Sequence, residues 1–372
     1  MANKAMVYRL YPNDIQDAQC QKTFGCCRFV YNQMLTIQQD RYQNKEKYLS
    51  KTDANNYCNR VLKTDYPFLK EIDKFALTNA IYHLAEGYQR FFKRQGGFPK
   101  YKNKHRAKKS YTTNYTNGNN EVGDTYVKLP KLGKVKAKIH RKPKEAWLIK
   151  SATITKNRDD SYQVAILYEY EETIHSQNPT LDNTLGLDYK SDGLYADSNG
   201  TVCGMPHYYR NSACKLAKAQ QKLKHKIIGS NNYHRHQKRI ARIHRHTANQ
   251  RKDFLHKQST AIAKQYVFVC VENLNMKALS NKGFGNGKAT LDNGYGMFLN
   301  MLEYKLHDRG GKLVKVDKFY SSSQLCHNCG AIHPEMKDLS IRTIKCGCGY
   351  VSNRDENAAR NIKKEGFRLL TA

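Results

Sequence analysis

The sequence predicts a multidomain protein of mixed α+β and α/β class, and three observations predict it. The chain has 372 residues, whereas single hydrophobic cores stop growing at about 250–300 residues. Its apolar positions switch repeatedly between the alternation of strands and the roughly 3.6-residue repeat of helices. Near the C-terminus, Cys326, Cys329, Cys346 and Cys348 form two close pairs, the mark of a small metal-stapled module set within a larger fold.

Lys and Arg total 64 against 32 Asp and Glu, a net charge of +32. An excess of that size makes a polyanion the expected partner and argues against an ordinary metabolite enzyme. The sequence contains no run of about 18 apolar residues, and its start lacks the apolar core of a secretion signal. The protein is therefore expected in the cytoplasm, with no membrane partner. Cys20, Cys26, Cys27, Cys58, Cys203, Cys214 and Cys270 show no disulfide-framework spacing and read as reduced thiols.

Residues 4–11 alternate in the manner of a strand and stop at Pro12-Asn13-Asp14, a turn and helix-start signal. From residue 14 to about residue 93 the pattern is helical, with Phe24, Val30, Met34 and Leu35, then Phe75, Leu77, Ile81, Leu84 and Tyr88, and it predicts a small helical domain. Residues 87–120 hold nine Lys and Arg and no acid. There Arg90, Lys93, Arg94, Lys100 and Lys102 stand among Phe98, Tyr101 and Tyr111, a mixture that suits phosphate contact with base stacking; a solvated charged loop is the plainer alternative. Short strands at 126–129, 135–139, 147–155 and 162–170 predict a small barrel or sandwich. The strand at 4–11 is expected to join it, which makes the helical segment an insertion. Residues 175–183 read as a linker.

A second pattern begins with a strand at 184–189 that bears Asp188, followed by a hairpin turning at Ser198-Asn199-Gly200. Residues 198–252 are again free of acids and carry thirteen Lys and Arg on two helices broken at 229–232. Leu216 and Leu223 lie on one seam, and Ile240, Ile243, Thr247, Phe254 and Ala261 mark another. Amphipathic helices usually mix charge signs, so this imbalance favours a polyphosphate-facing surface over a merely solvated one. Residues 266–272 form an apolar run ending in Glu272, the profile of a central strand covered on both faces. A glycine-rich loop at 283–296, a helix at 295–308 and a strand at 312–316 follow. Hairpin, helices, strand, helix, strand, knuckle and final helix fit a ribonuclease-H-like sheet with insertions.

Two residues separate Cys326 from Cys329, sixteen separate the pairs, and one glycine separates Cys346 from Cys348. Four thiolates favour one tetrahedral, structural Zn²⁺ with no open coordination position, although His327 and His333 stand close enough in sequence to substitute as ligands. Glu272 closes a strand, Asp188 lies within or at the end of another, and Asp355 opens a helical run, where alone it makes a good N-cap. Taken singly, each acid is more often a cap or an ion-pair partner. Together they fit phosphodiester hydrolysis with two hard cations, which needs carboxylates converging from distant positions on one sheet edge.

The residues Arg9-Leu-Tyr-Pro12, Gly97-Phe-Pro-Lys-Tyr101, Val271-Glu-Asn-Leu274, Ser322-Ser-Gln-Leu-Cys-His-Asn-Cys-Gly330 and Asn353-Arg-Asp-Glu-Asn-Ala358 resemble the TnpB family from end to end. These are insertion-sequence-encoded RNA-guided nucleases related to type V CRISPR effectors. The resemblance implies a wedge β-barrel domain (1–13 and 96–180) with an inserted helical recognition domain (14–95). It also implies a RuvC nuclease domain (181–322 and 354–372) with an inserted zinc-ribbon module for target nucleic acid (323–353). In that family's pattern Asp188, Glu272 and Asp355 hold two Mg²⁺ ions, with Mn²⁺ as an alternative. Lys74, Phe75, Asn79, Thr116 and Asn117 match the residues that read a short motif beside the double-stranded DNA target. The implied partners are that DNA and a guide RNA transcribed from the element's own end, in a monomeric, nucleoid-associated complex of a bacterium or archaeon. Base pairing would supply the sequence specificity. Two departures stand out: Tyr189-Lys190-Ser191 follow Asp188 where many relatives have a small residue and glycine, and Ser321 replaces a frequent proline.

Two rival readings use the same residues. A nuclease-inactive RNA-guided repressor predicts a missing acid, and all three are present. A DNA transposase would use the same acids and metals.

Overall fold

The computed structural model describes residues 1–171, 174–281, 283 and 287–372. Contacts divide the chain into two compact units, Met1–Glu172 and Thr173–Ala372.

The first unit opens with β1 (Ala2–Tyr11) and the 30-residue α1 (Asp14–Gln43). Asn13 starts the helix as a capping box: its side chain accepts the Gln16 N–H at 2.9 Å, and the Gln16 side chain accepts the Asn13 N–H at 3.2 Å. Such reciprocal caps contribute about 1 kcal/mol. Phe24, Val30, Met34 and Leu35 are buried along one face, as their spacing requires. After α2 (Lys51–Tyr57), one π turn, the single turn α3 (Lys63–Asp65) and a 3₁₀ turn comes α4 (Lys74–Phe92), capped by Asp73 and buried through Leu77, Ile81, Leu84 and Tyr88. The remaining elements are β2 (Lys109–Asn114), β3 (Glu121–Val122), β4 (Tyr126–Leu129), β5 (Gly133–Lys138), β6 (Leu148–Lys156) and β7 (Tyr162–Tyr170).

All seven strands form one antiparallel sheet in the order β2-β6-β7-β1-β5-β4-β3. β1 sits at its centre, registered from Ala2 opposite Tyr170 to Leu10 opposite Tyr162. Helices and sheet share one core that joins Tyr8, Val30, Met34, Leu77, Ile154 and Ile166. The strand β2 lies inside the acid-free stretch 87–120 and is not among the strands expected from the sequence. Its Tyr111 and Thr113 are buried while the residues between them are not. A polar edge strand of six residues carries only two inward side chains, too few to stand out in a lysine-rich stretch.

The second unit contains β8 (Thr184–Tyr189), β9 (Tyr195–Asp197), β10 (Val202–Cys203), α5 (Tyr208–Lys224), α6 (Asn231–Gln265), β11 (Phe268–Glu272), α7 (Met276–Leu279), α8 (Gly287–Asn293), α9 (Tyr295–His307), β12 (Lys312–Val316), β13 (Thr343–Lys345), β14 (Val351–Asn353) and α10 (Arg354–Thr371). The main sheet has the order β10-β9-β8-β11-β12. β8, β9 and β10 make an antiparallel meander, and β11 runs parallel to both β8 and β12. One face, with Leu185, Leu187, Val269, Val271 and Leu313, packs on Ile262 of α6 and Phe298 and Leu302 of α9. The other, with Cys270, Val314 and Val316, packs on Ile362 of α10.

Two expectations change here. Of the anticipated glycine-rich loop, residues 284–286 lie outside the described residues, while 287–293 form α8. The buried seam of α6 near its end uses Leu255, Ser259 and Ile262, and Ala261 is exposed. Heptad counting from Ile240 drifts by about 60°, a little over half a residue, over three heptads because a straight helix repeats at about 3.6 residues per turn.

Candidate active site

The alternation of β8 turns Leu185 and Leu187 toward α6 and α9, so Gly186 and Asp188 face α10. In β11, Cys270 faces α10 and so does Glu272. Leu187 is paired with Val271 in the parallel ladder. The next step along both strands sets Asp188 and Glu272 side by side at the same sheet end. Gly186 is what lets α10 lie on this face: a Cβ there would run into the Ala359 carbonyl and the backbone of Lys363.

Asp355 is the second residue of α10 and is buried. It is not the N-cap. That role belongs to Asn353, whose side chain accepts the Asp355 N–H at 2.9 Å, leaving the Asp355 carboxylate free for other partners. Its Oδ2 accepts from Lys190 Nζ at 2.8 Å and from Arg342 Nη2 at 2.6 Å. Arg354, also buried, donates to the Asp338 carbonyl at 2.7 Å.

The electrostatics report the crowding of these acids. The Asp188 carboxyl is pushed up to about 8, first by burial and then by the charges of Asp355 and Glu272, against the opposing pull of Arg354 and Lys190. Burial also raises Glu272. The three carboxylates interact through their charges, but among the described residues only Cys326, Cys329, Cys346 and Cys348 bring three or more ligand atoms within 4.8 Å of one another. Hard oxygen donors of this kind suit divalent cations such as Mg²⁺, which would have to draw them together.

Sequence reasoning missed several neighbours. Lys190 drew notice only as a departure in the residues after Asp188. Arg342, between the cysteine pairs, carries no sequence signal that ties it to Asp355. Asp292 is almost wholly buried, receives Arg251 Nη2 at 3.0 Å and caps α5 by accepting the Tyr209 N–H at 3.1 Å. Asn293 donates to the Ser191 carbonyl at 2.8 Å and so ties down the turn that follows β8.

The four cysteines Cys326, Cys329, Cys346 and Cys348 bring their sulfurs within 4.8 Å of one another. Cys326 and Cys348 lie 3.7 Å apart, and Cys329 and Cys346 lie 3.5 Å apart. Sulfurs bound to zinc at about 2.3 Å stand ~3.8 Å apart along a tetrahedral edge, so the cluster fits one zinc ion. The clustered thiols shift in opposite directions, Cys348 held down first by the Asn328 amide and Cys346 pushed up, against a backbone hydrogen bond from Cys348, by desolvation and by hydrogen bonds with its cysteine neighbours, so a bound cation would be needed to hold all four as thiolates. His327 and His333 are not part of the cluster: His327 Nδ1 meets Asn361 Oδ1 at 3.3 Å and His333 Nδ1 meets Glu335 at 2.9 Å. The module is tied to α10 by Asn357 and Asn361, which both donate to the Leu325 carbonyl, at 2.8 and 2.7 Å. Asn361 also reaches the Ser322 carbonyl at 2.8 Å.

In the first unit, Lys74 lies over the Phe75 ring at 5.0 Å at the start of α4. One turn on, the Asn79 amide donates to the Phe75 and Thr112 carbonyls and to Asn114 Oδ1, at 2.9, 3.0 and 3.1 Å. Thr116 and Asn117 follow in the turn after β2, where Asn117 has a left-handed φ of 48°. Arg90, Lys93, Arg94 and Lys100 are exposed. Lys102 is half-buried, with its ammonium 3.6 Å from the centre of the Tyr31 ring, and burial lowers its pKa.

A relative from Streptomyces pristinaespiralis, whose name gives it as an RNA-guided DNA endonuclease, is 31% identical over 370 residues, covering 98% of this chain and 89% of its own. The chain belongs to the TnpB family. A second TnpB-family relative, Escherichia coli (strain K12) InsQ, also named for RNA-guided DNA endonuclease activity, is 27% identical over 99% of this chain and 93% of its own. Family models described as "Cas12f1-like, TNB domain", "Probable transposase" and "Helix-turn-helix domain" match residues 295–362, 165–282 and 1–47. In this TnpB-family chain the last of these regions is the strand β1 and the single long helix α1. Among solved structures, the protein of a Cas12f1–sgRNA–target DNA complex shares the fold, with a TM-score of 0.59 at 14% identity, over 92% of this chain and 81% of that one.

Proposed function

We propose that the chain is an RNA-guided DNA endonuclease of a mobile element, and that Asp188, Glu272 and Asp355 are the acids of its single active site. The observation that carries this reading is the position of Asp188 and Glu272 one step beyond the paired Leu187 and Val271 of neighbouring parallel strands, on the face covered by the helix whose first turn holds Asp355. A three-stranded meander followed by two parallel strands, with a helix laid across the acid-bearing face, is a ribonuclease-H-like arrangement of the RuvC kind. In this reading the seven-stranded sheet is the wedge, α1 to α4 form the recognition insert and the four-cysteine module is a zinc ribbon that contacts target nucleic acid.

Asp188, Glu272 and Asp355 would hold two Mg²⁺ ions, and the chemistry those ions would supply is activation of a water and charge stabilisation at the departing 3′ oxygen. The chain's own residues set the geometry. β8 and β11 fix two carboxylates through ladder hydrogen bonds, and the Asn353 cap fixes the third by holding the first turn of α10. The basic residues of α5 and of α6 up to residue 252 grip an RNA–DNA heteroduplex by its backbone, leaving sequence to base pairing. Lys74, Phe75, Asn79, Thr116 and Asn117 read the motif beside the target. Asn79 and Asn114 link the helix and turn that carry them.

The test is to purify the protein with its bound RNA and challenge it with plasmids carrying a guide-matched target beside a randomised motif. Guide-directed cleavage lost in Asp188→Ala is expected. Cleavage that ignores the guide, or persists in that variant, overturns the proposal.

A further inference from the structure

We propose that the turn after α4 is a stacking platform for single-stranded nucleic acid, in which Phe92 and Phe98 receive unstacked bases and Lys93, Arg94 and Lys100 hold the phosphates. This rests on the nucleic-acid reading above but concerns a separate surface, remote in sequence from the three acids.

The platform is built, not frayed. Lys93 closes α4, and Arg94 takes a left-handed φ of 55°. The chain then reverses through Gly96 and Gly97 and brings Phe98 back onto the helix it has just left. The Phe98 ring meets Tyr88 edge-on at 5.5 Å and Phe91 edge-on at 5.3 Å. Phe92 lies over Tyr88 at 6.2 Å with the rings 21° from parallel. Tyr88 itself is buried in the core of the unit and roots the group. Pro99, also buried, sits where a Cβ on Gly87 would touch it, so the returning segment is seated on α4. Tyr101 fastens its far end by donating to Gln39 Oε1 at 2.7 Å.

The rings are nevertheless open to solvent: Phe92 is 70% exposed and Phe98 42%. Such an apolar face on a mixed-charge surface would suit a protein partner. Here no acid occurs from residue 87 to residue 120, and among the described residues no ion pair takes up Lys93, Arg94 or Lys100. Exposed aromatic rings in a segment whose only charged side chains are cations are complementary to bases on a phosphate backbone. A duplex hides its base faces in the stack, so a single strand is the form that uses both features.

The test uses the full-length protein and fluorescently labelled 12-nucleotide oligo-dT and oligo-rU, with a blunt duplex of the same length as comparison. Phe92→Ala is expected to weaken single-strand binding about tenfold, with little change for the duplex and with an unchanged salt slope. Phe92→Trp should keep the affinity and Phe92→Leu should not, which separates stacking from apolar bulk. Lys93→Ala with Arg94→Ala should instead reduce the salt slope by about 1.4, at about 0.7 per phosphate contact. Tighter binding of rU points to the guide as occupant and tighter binding of dT to a displaced DNA strand; either supports the platform. Equal losses for single strand and duplex in Phe92→Ala, an unaffected single strand, or a Leu variant as good as Trp overturn it. Oligonucleotide binding is read without added divalent ions, where no cleavage is needed for the signal, so a failed nuclease and a failed platform are told apart.

Discussion

Lys190 Nζ lies 2.8 Å from Asp355 Oδ2 although the two residues are 165 positions apart, and this ammonium stands only two residues beyond Asp188. The Asp355 carboxylate is thereby held by a cation belonging to the chain itself. A divalent ion that took Asp355 Oδ2 would compete with it and with Arg342, which lies 2.6 Å from the same oxygen.

Lys190→Met removes that competitor while keeping most of the side-chain volume. Partly buried ion pairs of this kind are worth on the order of 1 kcal/mol, so divalent binding should tighten several-fold. Titration with Mn²⁺ followed by electron paramagnetic resonance measures it directly, and weaker Mn²⁺ binding in the variant would count against the competition.

Asp188 sets a pH dependence of stability in protein free of added divalent ions. Its folded-state value of about 8 lies above the ordinary 3.8, so across that window the folded chain retains a proton that the unfolded chain releases. Stability should therefore fall as pH rises from about 4 to 8. Asp188→Asn should flatten this part of the curve and melt higher than the parent at pH 8. Thermal melts at pH 5, 6.5 and 8 without chelator give the comparison.

Gly186→Ala drives a methyl group into the Ala359 carbonyl and the Lys363 backbone. Overpacking of this type costs about 1–3 kcal/mol, visible as a lower melting temperature. Cleavage measured well below that temperature should drop further than stability alone explains, because the shift moves Asp355 relative to Asp188.

Cys326→Ser removes one of four clustered sulfurs. Elemental analysis should find about one zinc in the parent and well under one in the variant. Proteolysis should then open the chain between residues 326 and 353, while Asp188→Ala leaves zinc content untouched.

Much of this architecture was legible before any coordinates. β8 announced itself as an Asp-bearing strand that opens a hairpin, β11 as an apolar run ending in Glu272, and the cysteine pairs carried their spacing openly. Other features were hidden for physical reasons. β2 alternates lysine, serine and threonine with a single large inward side chain, Tyr111, and needed β6 beside it to become a strand. α8 lies next to glycines that mask its helix signal, and its Asp292 is buried only because Arg251 and the start of α5 meet it there. The pairing of Arg342 with Asp355 depends on how the ribbon folds back, which no local pattern encodes.

The asparagine ties from α10 also bear on how such proteins can be recombined. Asn357 and Asn361 satisfy the carbonyls of Ser322 and Leu325, and Asn357 Oδ1 accepts the His327 N–H at 3.1 Å. The ribbon and the first turns of the helix carrying Asp355 are thus a single inherited cassette. A chimera that exchanges the cysteine module between relatives should function only when residues 322–361 travel together. A seam cut at residue 353 would separate the asparagines from the backbone they were matched to.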